Sequence, residues 1–154
     1  MKWLHASGTF AISPLALSVF RMHEQHAPDA LEAGGMLVGQ LTNDRRDVVV
    51  ETVTTPSPGD ERTRFGFYRA SPMHYEVLRH LFEKSGGALF EVGNWHTHAE
   101  PIPVPSEEDL AAWRGDLRRV PRNGAAFFVI VGQLAIGVWQ GDPSTGDFRL
   151  LGPA

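Results

Sequence analysis

Apolar residues follow helical spacing in three parts of the chain, and a start signal precedes each part. Ser13-Pro14 and Ser71-Pro72 each supply an N-cap residue followed by proline, which suits the first turn of a helix. The first helix is predicted to run to about Ala27, and the second to end at Gly86-Gly87. A third helix is predicted from Ser106, with three apolar residues on one face: Leu110, Trp113 and Leu117.

Runs rich in β-branched and aromatic residues, bounded by turn residues, predict the strands. They cover residues 9–12, 34–41, 48–53, 88–98, 125–131, 134–140 and 148–151. The polar segment between the second and third runs predicts a hairpin with its turn at Asn43 to Arg46. With the helices, these strands predict an α/β fold in which a mixed, mostly antiparallel sheet is flanked by about three helices.

One short segment has two interpretations. Residues 63–69 alternate polar and aromatic side chains through Phe65 and Phe67. This pattern fits an exposed strand or flap, and it equally fits a strand whose aromatic side chains belong to the core.

Length and composition narrow the class of protein. A chain of 154 residues is expected to form one domain over residues 1–154, and 42% hydrophobic with 21% charged residues is typical of a globular protein. The net charge of −4 and the lack of a basic cluster argue against a nucleic-acid partner. Cysteine is absent, which excludes disulfides, thiolate ligands and thioester chemistry. No signal peptide or membrane-spanning run is found, so a cytoplasmic protein is predicted.

A candidate metal site follows the central predicted strand. His96 and His98 are two residues apart, so on a strand both imidazoles point to the same face. A proline-rich loop then leads to Ser106 and Asp109 at the start of the third helix. Two imidazoles and one carboxylate form a three-ligand set that suits zinc and leaves one position open, as in catalytic sites.

Some of these residues also have purely structural interpretations. Ser106 and Asp109 stand at the spacing of a capping box, in which each side chain bonds the other's backbone amide. The histidine pair at a matching distance favours the ligand interpretation for Asp109. Trp95 and Trp113, next to the motif, are interpreted either as walls of the site or as packing residues.

Glu32 is the candidate group for proton transfer. It precedes the predicted strand 34–41 and is followed by Gly34 and Gly35, whose missing side chains let another segment pass close to the backbone. A lone glutamate at a strand entry is commonly a surface residue. Its combination with the glycine pair and the histidines makes Glu32 the best candidate for a general base.

The segment from Glu32 to Gly39, followed by His96-x-His98, seven residues, Ser106, two residues and Asp109, resembles the JAMM motif of the JAB/MPN/Mov34 metallopeptidases. The likeness covers nearly the whole chain. It implies a JAB/MPN-like fold, one Zn²⁺ per chain bound by the two histidines and Asp109, and catalytic roles for Glu32 and Ser106. Family members often carry proline directly after the second histidine, whereas this chain has Ala99.

The resemblance implies a zinc-dependent peptidase or isopeptidase that cuts an amide bond at or after the C-terminal tail of a ubiquitin-like protein. Short prokaryotic members of this kind look like partners of ubiquitin-like modification systems, some in antiphage operons, which implies E1- or E2-like partners. Two alternatives are a non-catalytic MPN scaffold and a peptidase that releases an amino acid from a sulfur-carrier protein. A purely structural zinc site fits poorly, because such sites usually have four protein ligands.

Overall fold

The computed structural model describes residues 1–120 and 124–152. Its three helices are α1 (Pro14–Met22), α2 (Met73–Lys84) and α3 (Glu107–Leu117). The predicted start of α1 is confirmed, because the Ser13 side chain accepts a hydrogen bond from the Ala16 amide and Pro14 opens the helix.

The predicted end of α1 at Ala27 was wrong, since the helix stops at Met22. The chain leaves the helix and buries the side chain of Gln25 completely. The Gln25 amide group donates to the carbonyls of Ala30 and Arg64, both at 3.0 Å. These tertiary hydrogen bonds take the place of further helical turns.

Eight strands form one sheet: β1 (Lys2–His5), β2 (Gly8–Ile12), β3 (Gly34–Thr42), β4 (Asp47–Val53), β7 (Phe90–Thr97), β8 (Ala126–Val131), β9 (Ile136–Gly141) and β10 (Phe148–Leu150). Their order in the sheet is β1-β2-β4-β3-β7-β8-β9-β10. Five of its seven neighbouring pairs are antiparallel, while β2 with β4 and β7 with β8 are parallel. The predicted mixed, mostly antiparallel sheet with three helices is therefore confirmed.

Strand β1 was not predicted from the sequence. Its four residues pair antiparallel with β2 and place Trp3 in the core against Phe10, with the ring centroids 6.1 Å apart. The segment is only four residues long and half polar, so its strand structure depends on the neighbouring strand rather than on its own pattern.

Most of residues 63–69 lie in a two-stranded hairpin outside the main sheet, which supports their interpretation as an exposed strand. The hairpin consists of β5 (Glu61–Thr63) and β6 (Gly66–Tyr68). Phe65 lies at its tip and is 81% exposed, whereas Phe67 is half-buried. A Cβ atom on Gly34 would come within 2.4 Å of the Phe67 ring, which confirms that this glycine admits another segment.

The two faces of the sheet carry separate apolar clusters. One contains α1 residues together with Phe10, Trp95 and Phe127, and the other joins α3 to the sheet through Trp113, Phe128 and Trp139. Strand β7 lies in the middle of the sheet and contributes to both faces, because its side chains alternate. Among the described residues, no helix is long and apolar enough to cross a membrane.

Candidate metal centre

The end of β7 brings the two predicted histidine ligands together. His96 and His98 are both buried, and their Nε2 atoms lie 3.1 Å apart. The β7 strand is held on one side by β3, in a register that pairs Gly34 with His96, and on the other by β8. The imidazoles therefore extend from a strand whose position is fixed on both sides.

The first turn of α3 supplies the carboxylate. The Asp109 Oδ1 atom lies 3.0 Å from His96 Nε2, and Oδ2 lies 3.3 Å from His98 Nε2. A capping box is also present, with the Ser106 amide donating to Asp109 Oδ2 at 2.7 Å and the Asp109 amide donating to Ser106 Oγ at 3.1 Å. Capping and ligand position therefore coexist in Asp109, because the carboxylate offers two oxygens.

The three side chains fit a divalent metal ion. His96, His98 and Asp109 each offer a ligand atom, and these atoms all lie within 4.8 Å of one another. In tetrahedral zinc sites with bonds of about 2.0–2.1 Å, neighbouring ligand atoms are roughly 3.3 Å apart. The nitrogen-oxygen distances of 3.0 and 3.3 Å are close to that value. The donor set is of the kind that binds zinc at a site with an open position.

Glu32 lies beside this cluster, as predicted from the sequence. Its side chain is buried, and Oε1 lies 4.0 Å from His98 Nε2. The Glu32 backbone is held by the β5–β6 hairpin, since its amide donates to the Thr63 carbonyl at 2.7 Å and its carbonyl accepts from Arg62 Nε at 2.6 Å. The hairpin thus holds the segment that carries this carboxylate beside His98.

Burial and neighbouring charges shift the acid-base groups in different directions. Burial raises the pKa of Glu32 to about 7, although the nearby His98 opposes this shift. Burial would also raise the pKa of Asp109, but hydrogen bonds from His96 and His98 outweigh it and hold that pKa well below the usual range. Burial disfavours a charged His98, yet the carboxylates of Asp109, Glu32 and Glu100 raise its pKa overall.

Ser106 lies at the rim of the cluster. Its hydroxyl donates to Asp109 Oδ2 at 2.7 Å, so in this structure it orients the aspartate. Its predicted catalytic role stays a prediction.

Both tryptophans next to the motif are buried. The Trp95 indole donates to the Thr54 carbonyl at 3.0 Å, and Trp113 stacks on Phe128 with a centroid distance of 4.6 Å. Trp113 also lies edge-on to His96 at 6.4 Å. Both also line a cavity of about 350 Å³, together with His96, Asp109, Phe67 and Tyr75. The packing and wall interpretations therefore both hold for these residues.

Two polar residues near the site were not identified from the sequence. Glu100 Oε2 lies 3.8 Å from His98 Nδ1, and Thr97 between the ligands accepts a hydrogen bond from the Ala33 amide at 3.0 Å. Strand alternation could have placed Thr97 on the face opposite the histidines, but its partner lies 64 positions away along the chain. No local pattern marks that contact.

The sheet topology, the histidine pair on β7 and the aspartate on α3 define a JAB-type domain. Residues 15–145 match the family model described as prokaryotic homologs of the JAB domain, and the chain belongs to this family.

Several proteins whose sequences are similar to this chain carry the same name. A CD-NTase/cGAS isopeptidase of Pseudomonas aeruginosa is 30% identical over 141 residues, which cover 92% of this chain and 87% of that protein. The Escherichia coli protein of the same name is 30% identical over 120 residues, covering 78% and 72%. The solution structure of protein DSY2949 from Desulfitobacterium hafniense covers 92% of this chain and 88% of its own, with a TM-score of 0.60 and 19% identity, and so shows a similar fold.

Proposed function

We propose that this protein is a zinc-dependent isopeptidase that releases a protein from a conjugate by hydrolysing an amide bond. The observation that carries the proposal is the convergence of four side chains that are distant in sequence. Glu32, His96, His98 and Asp109 come from the entry to β3, the end of β7 and the start of α3. The name of the relatives, CD-NTase/cGAS isopeptidase, supports the same type of reaction.

His96, His98 and Asp109 would hold the zinc ion. When bound at a site with an open position, zinc supplies a Lewis acid and a water molecule that is acidic enough to ionise near neutral pH. The protein places both imidazoles at the end of β7, which is paired with β3 and β8, and Ser106 orients the Asp109 carboxylate through a 2.7 Å hydrogen bond. These residues set the geometry of the site without moving protons.

Glu32 has the role of proton carrier. Its carboxylate is buried beside the ligand cluster, with Oε1 4.0 Å from His98 Nε2, a position that suits a group that accepts and returns a proton at the site. It takes a proton from water as the amide is attacked and delivers that proton to the departing amine. Ser106 gives secondary assistance: its hydroxyl turns from Asp109 to donate to the developing oxyanion, while the Ser106 amide continues to hold Asp109 Oδ2.

The substrate we propose is a conjugate that contains a CD-NTase/cGAS-type protein or a ubiquitin-like protein joined through its C-terminal tail. The cavity beside His96 and Asp109, about 350 Å³ in volume, provides room for an extended segment of chain next to the ligands. Activating and conjugating enzymes encoded nearby would be the partners that make this conjugate, in a system of antiphage defence.

The test measures the cleavage of two purified substrates by intact-protein mass spectrometry. The panel contains a conjugate of the CD-NTase from the same genome and a linear ubiquitin-like fusion. We expect wild-type protein with about one zinc per chain to cleave, and Glu32→Gln to keep its zinc but lose at least about 10³-fold in rate. Glu24→Gln, an exchange of the same kind outside the cluster, is the matched control and should cleave normally.

Two results would contradict the proposal. If zinc-loaded wild-type protein cleaved neither substrate, the isopeptidase function would be wrong for these substrate classes. If Glu32→Gln cleaved at the rate of the wild type, Glu32 would not be the proton carrier.

A further inference from the structure

We infer that Thr97 and Gln25 are positioning residues that fix Glu32 relative to the histidine pair. This inference rests on the proposed function, because it assigns the two residues to the geometry of its proton carrier. Neither residue is one of the ligand or proton-transfer groups. Both are completely buried polar side chains, and each has hydrogen-bond partners in segments that meet at the site.

Thr97 joins the segment of Glu32 to the ligand strand. It stands between His96 and His98, so its side chain points to the opposite face of β7. Its hydroxyl accepts a hydrogen bond from the Ala33 amide at 3.0 Å, and its amide donates to the Ala33 carbonyl at 2.8 Å. The residue that follows Glu32 is therefore tied twice to the residue between the two ligands.

Gln25 continues this connection to the β5–β6 hairpin. Its Oε1 atom accepts from the Thr97 hydroxyl at 3.0 Å, and its Nε2 atom donates to the carbonyls of Ala30 and Arg64 at 3.0 Å. Arg64 lies at the turn of the hairpin, and Ala30 lies two residues before Glu32. One amide group thus joins the hairpin, the segment that leads to Glu32 and the ligand strand.

The hairpin itself holds Glu32 from the other side. The Glu32 amide donates to the Thr63 carbonyl at 2.7 Å, and the Glu32 carbonyl accepts from Arg62 Nε at 2.6 Å. If the hairpin and β7 moved independently, the distance from the carboxylate to the histidines would vary. The buried hydrogen bonds of Gln25 and Thr97 prevent this, because leaving such groups unpaired is costly.

The experiment compares Thr97→Val, which has nearly the same shape without the hydroxyl, with Thr97→Ser, which keeps it. We expect Thr97→Val to keep about one zinc per chain and nearly the same KM, while its kcat falls about 10- to 100-fold, since a small misplacement of a catalytic group costs rate. Thr97→Ser should stay within about threefold of the wild type, because its hydroxyl can still make both hydrogen bonds.

Gln25→Met provides the second variant, with Gln40→Met as its matched control. Gln40 donates to Glu51 at 2.8 Å on a distant part of the sheet, so its loss should leave kcat unchanged. In zinc-loaded Gln25→Met, we expect a reduced kcat and faster hydrogen exchange of the Glu32 and Ala33 amides. Gln25 contacts neither amide, so faster exchange there reports positioning and not the loss of a direct bond.

Folded, zinc-loaded Thr97→Val and Gln25→Met with wild-type kcat and wild-type amide exchange would overturn the inference. So would a loss of kcat that parallels a loss of zinc, because the network would then support the metal ligands and not Glu32. If wild-type protein cleaves no conjugate, the proposed function fails, and amide exchange in Gln25→Met still decides whether the network positions Glu32.

Discussion

Within residues 1–120 and 124–152, two buried clusters combine histidine with carboxylate, and they are built in different ways. In the first, His74 Nδ1 lies 2.6 Å from the Thr54 hydroxyl and Nε2 lies 2.8 Å from Asp60 Oδ2. In the second, His96 and His98 direct their Nε2 atoms toward each other and toward Asp109. The first cluster pairs each nitrogen with a different partner, whereas the second brings two ring nitrogens and a carboxylate together at one point.

The carboxyl group of Asp109 resembles that of Asp60, because hydrogen bonds lower the pKa of both, and the contrast lies in Glu32 beside the second cluster. Burial would raise the pKa of Asp60, but the amides of Ser57 and Ser71 and the ring of His74 outweigh it and lower that pKa. Burial instead raises the pKa of Glu32 to about 7. A histidine cluster whose members satisfy one another stabilises the fold. A cluster of converging ligand atoms next to a carboxyl group with a raised pKa is suited to bind a cation and carry a proton.

The largest expected effects come from removing one histidine of each cluster, because the two losses should change different properties. His96→Ala should abolish stoichiometric zinc binding and reduce cleavage by at least about 10³-fold, because two ligands remain. His74→Ala should lower the free energy of unfolding by about 2–4 kcal/mol, because Asp60 and Thr54 lose a buried partner. Zinc content by mass spectrometry and denaturant unfolding measure both quantities. Normal zinc content in His96→Ala would remove the distinction between the clusters.

The next effect concerns Ser106, which caps α3 and also orients Asp109. Ser106→Gly removes the hydroxyl but keeps a tolerated N-cap, so stability should change by only a few tenths of a kcal/mol. Ser106→Ala should cost about 1 kcal/mol. Both variants should lose about 10²- to 10³-fold in kcat if the hydroxyl acts in the reaction as proposed. An activity loss in Ser106→Ala alone would assign Ser106 to helix capping.

The smallest effect is a pH dependence of the metal-free protein. Because folding raises the pKa of Glu32 from 4.5 to about 7, the folded state binds more protons, and stability falls as the pH rises through this interval. Glu32→Gln removes this penalty and should stabilise the metal-free protein by up to about 3 kcal/mol at pH 8, with little effect at pH 4. Unfolding curves recorded with a chelator at both pH values make the measurement. Equal effects at pH 4 and pH 8 would contradict the raised pKa.

Asp60 gives the opposite dependence and serves as the comparison. Its pKa is lowered by folding, so the stability it contributes is present above the unfolded value of 3.8 and is lost as the pH falls below it. Asp60→Asn should therefore destabilise the protein at pH 7 and have less effect in strong acid. A larger effect in acid than at neutral pH would show that hydrogen bonds to the ionised carboxylate do not stabilise this cluster.

The sequence predicts much of this site because its signals are local. Strand alternation places His96 and His98 on one face, and both serine-proline pairs stand at helix starts. Of these two serines, only Ser13 caps its helix as predicted, because the N-cap position of α2 is Pro72, which makes no side-chain cap. The choice between cap and ligand for Asp109 could not be made locally, and the structure shows that one carboxylate satisfies both geometries.

Other features depend on contacts across the fold. The early end of α1 follows from Gln25 bonding to Ala30, Arg64 and Thr97, and β1 depends on its pairing with β2. The hydrogen bonds of His74 connect it to Thr54 and Asp60, which lie in two other segments of the chain. Such partners are defined only by the folded chain, and so they leave no periodic pattern in the sequence.

The most direct test is anomalous diffraction at the zinc edge from crystals of the zinc-loaded protein. The contrast between the clusters predicts one peak per chain, about 2.0–2.1 Å from the Nε2 atoms of His96 and His98 and in bonding distance of Asp109. No peak is expected at His74. The absence of an anomalous peak between His96 and His98, or a peak bound by His74 and Asp60, would contradict the assignment of the metal site.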